Sequence, residues 1–133
     1  MTWLVTVDAI ESAGSHVLLD YVNYKRGETG DGEWVLSVLR ECIRKSGVRE
    51  VHSHVEIFDG EDSPPGFAAV VLIDESHVTA HCYSERGILA IDVFTCGDSN
   101  PSEVAAMIND VLVSEIPDLR RVFEKRVERF RSD

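Results

Sequence analysis

The sequence is poor in positive charge, in cysteine and in long apolar runs. Thirteen Lys and Arg stand against 24 Asp and Glu, a net charge of -11 over 133 residues. Binding along nucleic acid draws most of its strength from Lys and Arg neutralising phosphates, so this balance argues against a nucleic-acid partner. It suits a solvated acidic surface and is compatible with a small cationic ligand. The three cysteines, Cys42, Cys82 and Cys96, are an odd number without paired metal-ligand spacing, which argues against a disulfide framework and a structural zinc site. No apolar stretch approaches the roughly 20 residues that span a bilayer. The first residues lack the basic start and small-residue cleavage site of a secretory signal. The expectation is a cytoplasmic protein with no membrane partner.

What is present is ordinary for a globular chain: 44% hydrophobic and 28% charged residues. The length suits a single domain over 1–133, burying roughly two thirds of its unfolded surface. There is no low-complexity tract and no repeat of fixed period.

Residues 2–10 are rich in β-branched and aromatic types, and Ser12 to Ser15 read as a break. His16 to Tyr24 then alternates as a strand, with Val17, Leu19 and Tyr21 on one side. After a glycine-marked loop, Val35, Val38, Leu39, Cys42 and Ile43 recur at helical spacing. Asp31 is the expected N-cap and Gly47 the C-cap, with Arg44 and Lys45 in the last turn, where the helix dipole favours cations. Cys42 reads as a core residue. Val48 to Phe58 reads as a strand with His52 and His54 on one face. Two histidines hold a metal only if further ligands converge, and these two read as solvated.

Asp59 to Gly66 is a loop, Ala68 to Ile73 a buried strand, and Val78 to Tyr83 with Ile88 to Thr95 a hairpin across residues 84–87. A second helix starts at Pro101, with Asn100 as cap and Glu103 completing a capping-box-like arrangement. Its buried stripe is Val104, Met107, Ile108, Val111 and Leu112. The tail after Pro117 suits either a helix or an edge strand. It carries six of the thirteen basic residues and reads as a solvated face or an interaction surface. Two strand-rich blocks, each followed by a helix, predict an α+β fold: an antiparallel sheet with two helices packed on one face, a two-layer sandwich.

Chemistry-bearing residues concentrate between Gly66 and Gly97. A hairpin with its loop at 84–87 pairs 83 with 88, and the same register sets 76 against 95. Ser76 and Cys96 then lie on neighbouring strands, roughly 5 Å apart in the pairing direction. His81 is five extended residues from Ser76, on the order of 16 Å. It cannot serve Ser76 of its own chain without a sharp bend, whereas a second chain could supply it.

Glu75-Ser76-His77, then His81 and Glu85, then Asp92-Val93-Phe94-Thr95-Cys96-Gly97, resemble the bacterial and archaeal S-adenosylmethionine decarboxylase proenzymes. That family reads Glu-Ser-His, His-Thr-Trp-Pro-Glu and an aspartate-led Phe-Thr-Cys-Gly at the same spacings. Gly14-Ser15-His16 matches as well, so the resemblance covers roughly residues 14–130 and leaves 1–12 as an N-terminal extension. Singly, Ser76, His81 and Cys96 would each read as packed core residues; their joint spacing is what carries the resemblance.

The resemblance implies self-cleavage between Glu75 and Ser76, with Ser76 attacking the Glu75 carbonyl and ending as a pyruvoyl group. That group would be the only cofactor, with no metal. It forms a Schiff base with the substrate amine and accepts the electrons released as carbon dioxide leaves. Cys96 falls on the family's proton donor. His81 falls on the histidine that assists processing, acting on the partner protomer, so a homodimer with active sites at the interface is implied. Glu85 falls on a substrate-binding glutamate, Tyr83 replaces a tryptophan, and Phe58 lies near an aromatic associated with adenine stacking. The substrate is then S-adenosylmethionine, a small cation, and the setting polyamine (spermidine) synthesis; the family also includes decarboxylases of arginine and ornithine. Cys82 matches no family role and reads as structural.

The chain departs from the pattern in His81-Cys82-Tyr83-Ser84-Glu85, where substrate is recognised, and on the strand before the cleavage site. Where the family carries Gly-x-Ser-Gly, with a serine that helps processing, this chain reads Gly66-Phe67-Ala68-Ala69. Two other readings therefore stand beside the first: a processing-deficient homologue with a binding or regulatory role, and an unrelated α+β binding module whose basic tail docks an acidic partner.

Overall fold

A computed structural model describes residues 13–96 and 99–130; the strand-like composition of 2–10 lies outside the described residues. The elements are β1 (Gly14–Val22), α1 (Asp31–Ser46), β2 (His52–Phe58), β3 (Gly66–Ile73), β4 (Ser76–Tyr83), β5 (Ile88–Cys96), α2 (Pro101–Glu115) and β6 (Arg120–Arg129). The strands form one sheet in the order β2-β3-β4-β5-β1-β6. Each neighbouring pair is antiparallel.

Strict alternation builds the core. Val17, Leu19 and Tyr21 of β1, Phe67, Ala69, Val71 and Ile73 of β3, Val78, Ala80 and Cys82 of β4, and Leu89, Ile91 and Val93 of β5 are buried in one cluster with both helices. From α1 come Val35, Val38, Leu39, Cys42 and Ile43. From α2 come Val104, Ala105, Ile108 and Leu112, with Met107 and Val111 partly buried beside them. Burying each large aliphatic chain contributes roughly 1.5–3 kcal/mol before the opposing entropy. Helix α1 packs on β2, β3 and β4, helix α2 on β1 and β5, and the two helices touch. The expected two-layer α+β sandwich is the fold observed. The other face of the sheet carries no helix among the described residues, and no helix among them is long and apolar enough to cross a membrane.

Several boundaries differ from the sequence expectation. Strand β1 begins at Gly14, inside the predicted break, because Gly14 pairs with Cys96 on one side and Arg129 on the other. A Cβ there would press to 3.1 Å from the Thr95 carbonyl oxygen, so the missing side chain admits close pairing. Strand β2 starts at His52 rather than Val48. Asp31 is the first helical residue, not the cap. Gly30 occupies the cap position with no side-chain hydrogen bond, and the Asp31 carboxylate is drawn inward, accepting from Tyr24 Oη at 3.1 Å and Arg26 Nε at 2.8 Å. At the other end, the left-handed Gly47 caps α1 as expected. Asn100 caps α2 through the Ser102 amide at 2.9 Å, with Pro101 in the first turn. The tail is strand β6: pairing along β1 satisfies an edge that would otherwise be open.

Gly66 shows how tightly β3 and β4 meet. A Cβ added to it would overlap the Cys82 carbonyl oxygen. Gly66→Ala is therefore expected to lose on the order of 3 kcal/mol, the upper part of the usual range for overpacking a filled site. Urea unfolding measures this, and an unchanged midpoint would show that the two strands can part there without loss.

Candidate active site

The β3–β4 hairpin turns on two residues, Asp74 and Glu75, because Ile73 pairs directly with Ser76. Asp74 sits at φ 51, the positive φ that the tight hairpin turns favour and that Asp tolerates better than most residues. Arg49 Nη2 donates to its carboxylate at 2.5 Å. Glu75 is exposed, whereas Ser76 is 8% exposed. The Glu75–Ser76 peptide thus marks the passage from solvent into the end of the core.

The β4–β5 ladder runs from Tyr83 opposite Ile88 to His77 opposite Phe94, the register expected from the loop. It brings Cys96 beside Ser76. The Cys96 backbone N–H donates to Ser76 Oγ at 2.9 Å, and the Cys96 thiol lies 3.8 Å from the Glu75 carbonyl oxygen. A hydroxyl, the carbonyl preceding it and a thiol therefore meet at one corner of the sheet. The backbone donor occupies one lone pair of Oγ and orients the other, while the thiol stands where it can polarise the carbonyl. Buried Thr95 extends this corner by donating to the Ser99 carbonyl at 3.0 Å.

His81 is not brought to Ser76 of the same chain. An odd separation along one strand places their side chains on opposite faces, Ser76 buried and His81 exposed. On its face His81 stands between Ala68 of β3 and Ala90 of β5. Two methyl-bearing neighbours leave its imidazole uncovered. With Asp20, Tyr83, Ile88 and Val122 it lines a cavity of about 360 Å³. Tyr83 also joins Glu85, Arg86, Pro64 and Pro65 around a second cavity of about 470 Å³. Phe58, Gly66 and Tyr83 lie in one row across β2, β3 and β4. Glycine in the middle sets no side chain between two aromatic residues about 9.6 Å apart in backbone spacing. The predicted residues thus form two groups, Ser76 with Cys96 at one end of the sheet and Phe58, His81, Tyr83 and Glu85 toward the other.

Residue-by-residue reading passes over a polar cluster on the helix-free face. His16 and His77 flank Phe94, with ring centroids at 5.8 and 5.3 Å. His16 Nδ1 lies 3.3 Å from Arg129 Nη1, and its Nε2 lies 3.9 Å from Asp92 without a hydrogen-bond partner. Asp92 accepts from Thr79 Oγ1 at 3.1 Å. The hairpin register could align 77 with 94, but only the observed β1–β5 pairing sets His16 beside them. Burial, then the charge of His16, holds the His77 imidazole below its ordinary value of 6.5. His52 and His54 are exposed, His54 beside Glu56 at 2.9 Å. Among the described residues no three His, Cys, Asp or Glu side chains gather as metal ligands.

The three thiols differ sharply. Burial, then the Asp31 charge, pushes Cys82 up to about 11, and burial also raises Cys42. Cys96 is the one that is not buried. Iodoacetamide at about pH 8 is expected to modify Cys96 well before the others; equal rates by peptide mass mapping would contradict this packing. For His77 the folded state favours the neutral ring. Its contribution to stability is then complete above about pH 6.5 and is lost as pH falls through the lower folded value. His77→Gln should flatten the decline of the urea midpoint between about pH 7 and 5, and an unchanged decline would remove His77 from the acid response.

The S-adenosylmethionine decarboxylase family profile matches residues 15–123. An S-adenosylmethionine decarboxylase proenzyme of Bacillus velezensis is 35% identical over 105 residues, 77% of this chain and 79% of that one. The Clostridium tetani proenzyme is 35% identical over 106 residues, again 77% and 79%. That of Archaeoglobus fulgidus is 34% identical over 92 residues, 69% and 79%. The crystal structure of the Aquifex aeolicus adenosylmethionine decarboxylase superposes with a TM-score of 0.68 at 22% identity, over 92% of this chain and 95% of that one, a likeness of fold. These matches establish that the chain belongs to the S-adenosylmethionine decarboxylase family.

Proposed function

We propose that the chain is a cytoplasmic proenzyme that cleaves itself between Glu75 and Ser76 and then decarboxylates S-adenosylmethionine, for polyamine (spermidine) synthesis, as a homodimer. One observation carries the reading: Ser76 Oγ is held by the Cys96 N–H at 2.9 Å while the Cys96 thiol stands 3.8 Å from the Glu75 carbonyl oxygen. Attack by Ser76 Oγ on the Glu75 carbonyl carbon closes a five-membered ring. The C–N bond breaks to leave an ester and a free amine on Ser76. Removal of the Ser76 α-proton expels the Glu75 carboxylate, and hydrolysis of the resulting enamine releases ammonia and leaves the pyruvoyl end.

The residues present fit such a group. Ser76 supplies it at the mouth of the core, and before cleavage the N–H of Cys96 holds Ser76 Oγ, the oxygen that departs with the Glu75 carboxylate. Once formed, the pyruvoyl group supplies the electron sink for decarboxylation. The Cys96 thiol holds the proton that replaces the lost carboxylate on the substrate's α-carbon. The family's aromatic and acidic contacts fall to Phe58 and Tyr83, on either side of Gly66 in one row, and to Glu85 at the neighbouring cavity.

Because His81 and Ser76 point to opposite faces, the histidine is assigned to the partner's cleavage site. The helix-free face, where Leu72, Tyr83 and Phe123 are 41%, 46% and 44% exposed, is the surface that a second copy would cover. Ala68 lies directly opposite His81, where a serine would set a hydroxyl beside the imidazole, so cleavage is expected to be slow here.

Intact mass over time tests the reading. Wild type is expected to yield two fragments broken between residues 75 and 76, Ala68→Ser to yield them at least about tenfold faster, a factor one added hydrogen bond can supply, and Ser76→Ala to stay whole. Cleavage confined to Ala68→Ser would favour a processing-deficient homologue, and full-length protein in every case would sink the proposal.

A further inference from the structure

Arg126 lies on β6 opposite Val17, and its guanidinium reaches two other segments of the molecule. Nη1 donates to Ser102 Oγ at 2.8 Å and to Asn100 Oδ1 at 3.2 Å. Nη2 donates to Ser15 Oγ at 3.1 Å, and Nε to Glu128 Oε2 at 2.9 Å. Ser15 in turn donates to Glu128 Oε1 at 3.0 Å. One side chain thus joins β6, the start of β1, and the cap and first turn of α2.

The start of β1 and the cap of α2 adjoin the end of β5. Ser15 pairs with Thr95, and Gly14 with Cys96. Thr95 Oγ1 donates to the carbonyl of Ser99, the residue before the α2 cap. On its other side the β4–β5 ladder ends at His77 and Phe94, so beyond that pair the bond from the Cys96 N–H to Ser76 Oγ carries the registration. Other basic residues of β6 are held differently: Arg121 pairs with Glu124 at 3.2 Å, and Arg129 lies over the Phe94 ring.

We propose that Arg126 is a positioning residue that fixes the first turn of α2 against the ends of β1 and β5, and through them the Cys96 N–H and thiol against Ser76 and the Glu75 carbonyl. The fork geometry matters, because a planar guanidinium spans several acceptors in fixed directions whereas a lysine ammonium is a single mobile point charge. The consequence for processing rests on the self-cleavage reading above; the consequence for local order does not.

The experiment compares Arg126→Ala, Arg126→Lys and, as a control, Arg121→Ala. Self-cleavage is followed by intact mass. In a Ser76→Ala background, which cannot cleave, amide hydrogen exchange at Ser102 and Glu103 and alkylation of Cys96 by iodoacetamide are followed. Both Arg126 variants are expected to slow cleavage by about tenfold, to raise exchange at Ser102 and Glu103 by a similar factor, and to change the Cys96 alkylation rate several-fold, each the scale of losing charge-assisted hydrogen bonds. Their urea midpoints should move no further than that of Arg121→Ala. Wild-type exchange and alkylation in Arg126→Ala would overturn the proposal. So would full rescue by Arg126→Lys, which would show that charge alone suffices. A uniform rise in exchange with a lowered urea midpoint would also overturn it, as general destabilisation. If wild type does not cleave at all, the self-cleavage reading fails by itself, and exchange with alkylation still decides the role of Arg126.

Discussion

The geometry of the site depends on the register between β4 and β5. Side chains alternate along a strand with period two, so a slip by one residue would send Ser76 to the helix-free face and turn His81 into the core. The register from Tyr83–Ile88 to His77–Phe94 is held by burial: Val78, Ala80 and Cys82 on one strand and Leu89, Ile91 and Val93 on the other must all face the helices together. The hydrogen bond from Cys96 to Ser76 follows from that packing. The apolar core and the reactive corner are therefore one constraint seen at two places along the same pair of strands.

The same alternation divides the chemistry between two faces. Ser76 stands at the buried end of β4, while His77, Thr79, His81 and Tyr83 line the helix-free face. There the rows across the sheet have distinct characters. One row places His16, Phe94 and His77 together; another sets His81 between Ala90 and Ala68; a third separates Phe58 from Tyr83 by Gly66. Small residues thus leave the histidine uncovered and set no side chain between the two aromatics. A serine at 68 would be the only polar neighbour of His81 in its own row, which makes Ala68 the informative departure from the family pattern.

Around the corner the polar contacts come from far apart in the chain. Ser15 lies in the first described strand, Ser99, Asn100 and Ser102 at the start of α2, and Arg126 and Glu128 in the last strand. Hydrogen bonds to a charged guanidinium are among the stronger ones available at a partly exposed position. The acidic chain thus uses a cation of its basic last strand to organise hydroxyl and amide groups, in addition to presenting basic charge to solvent.

The sequence by itself determined what depends on neighbours within a turn or a hairpin. The apolar spacing in α1, the Asn100 cap with Pro101, the 84–87 loop and, through it, the meeting of Ser76 and Cys96 were all legible, because short-range geometry leaves few alternatives. The His81 separation was legible for the same reason. Only the tertiary structure decided the rest. Strand order places β1 between β5 and β6, and no local pattern encodes that neighbour. The tail became a strand because an open edge of β1 was there to pair with, although its own residues suited a helix equally. Asp31 left its expected capping role because Tyr24 and Arg26 offered it partners. Arg126 gained its role only when folding carried Ser15, Asn100 and Ser102 to it. Long-range pairing and the satisfaction of polar groups at its ends are properties of the assembled sheet, so no single stretch of the chain could announce them.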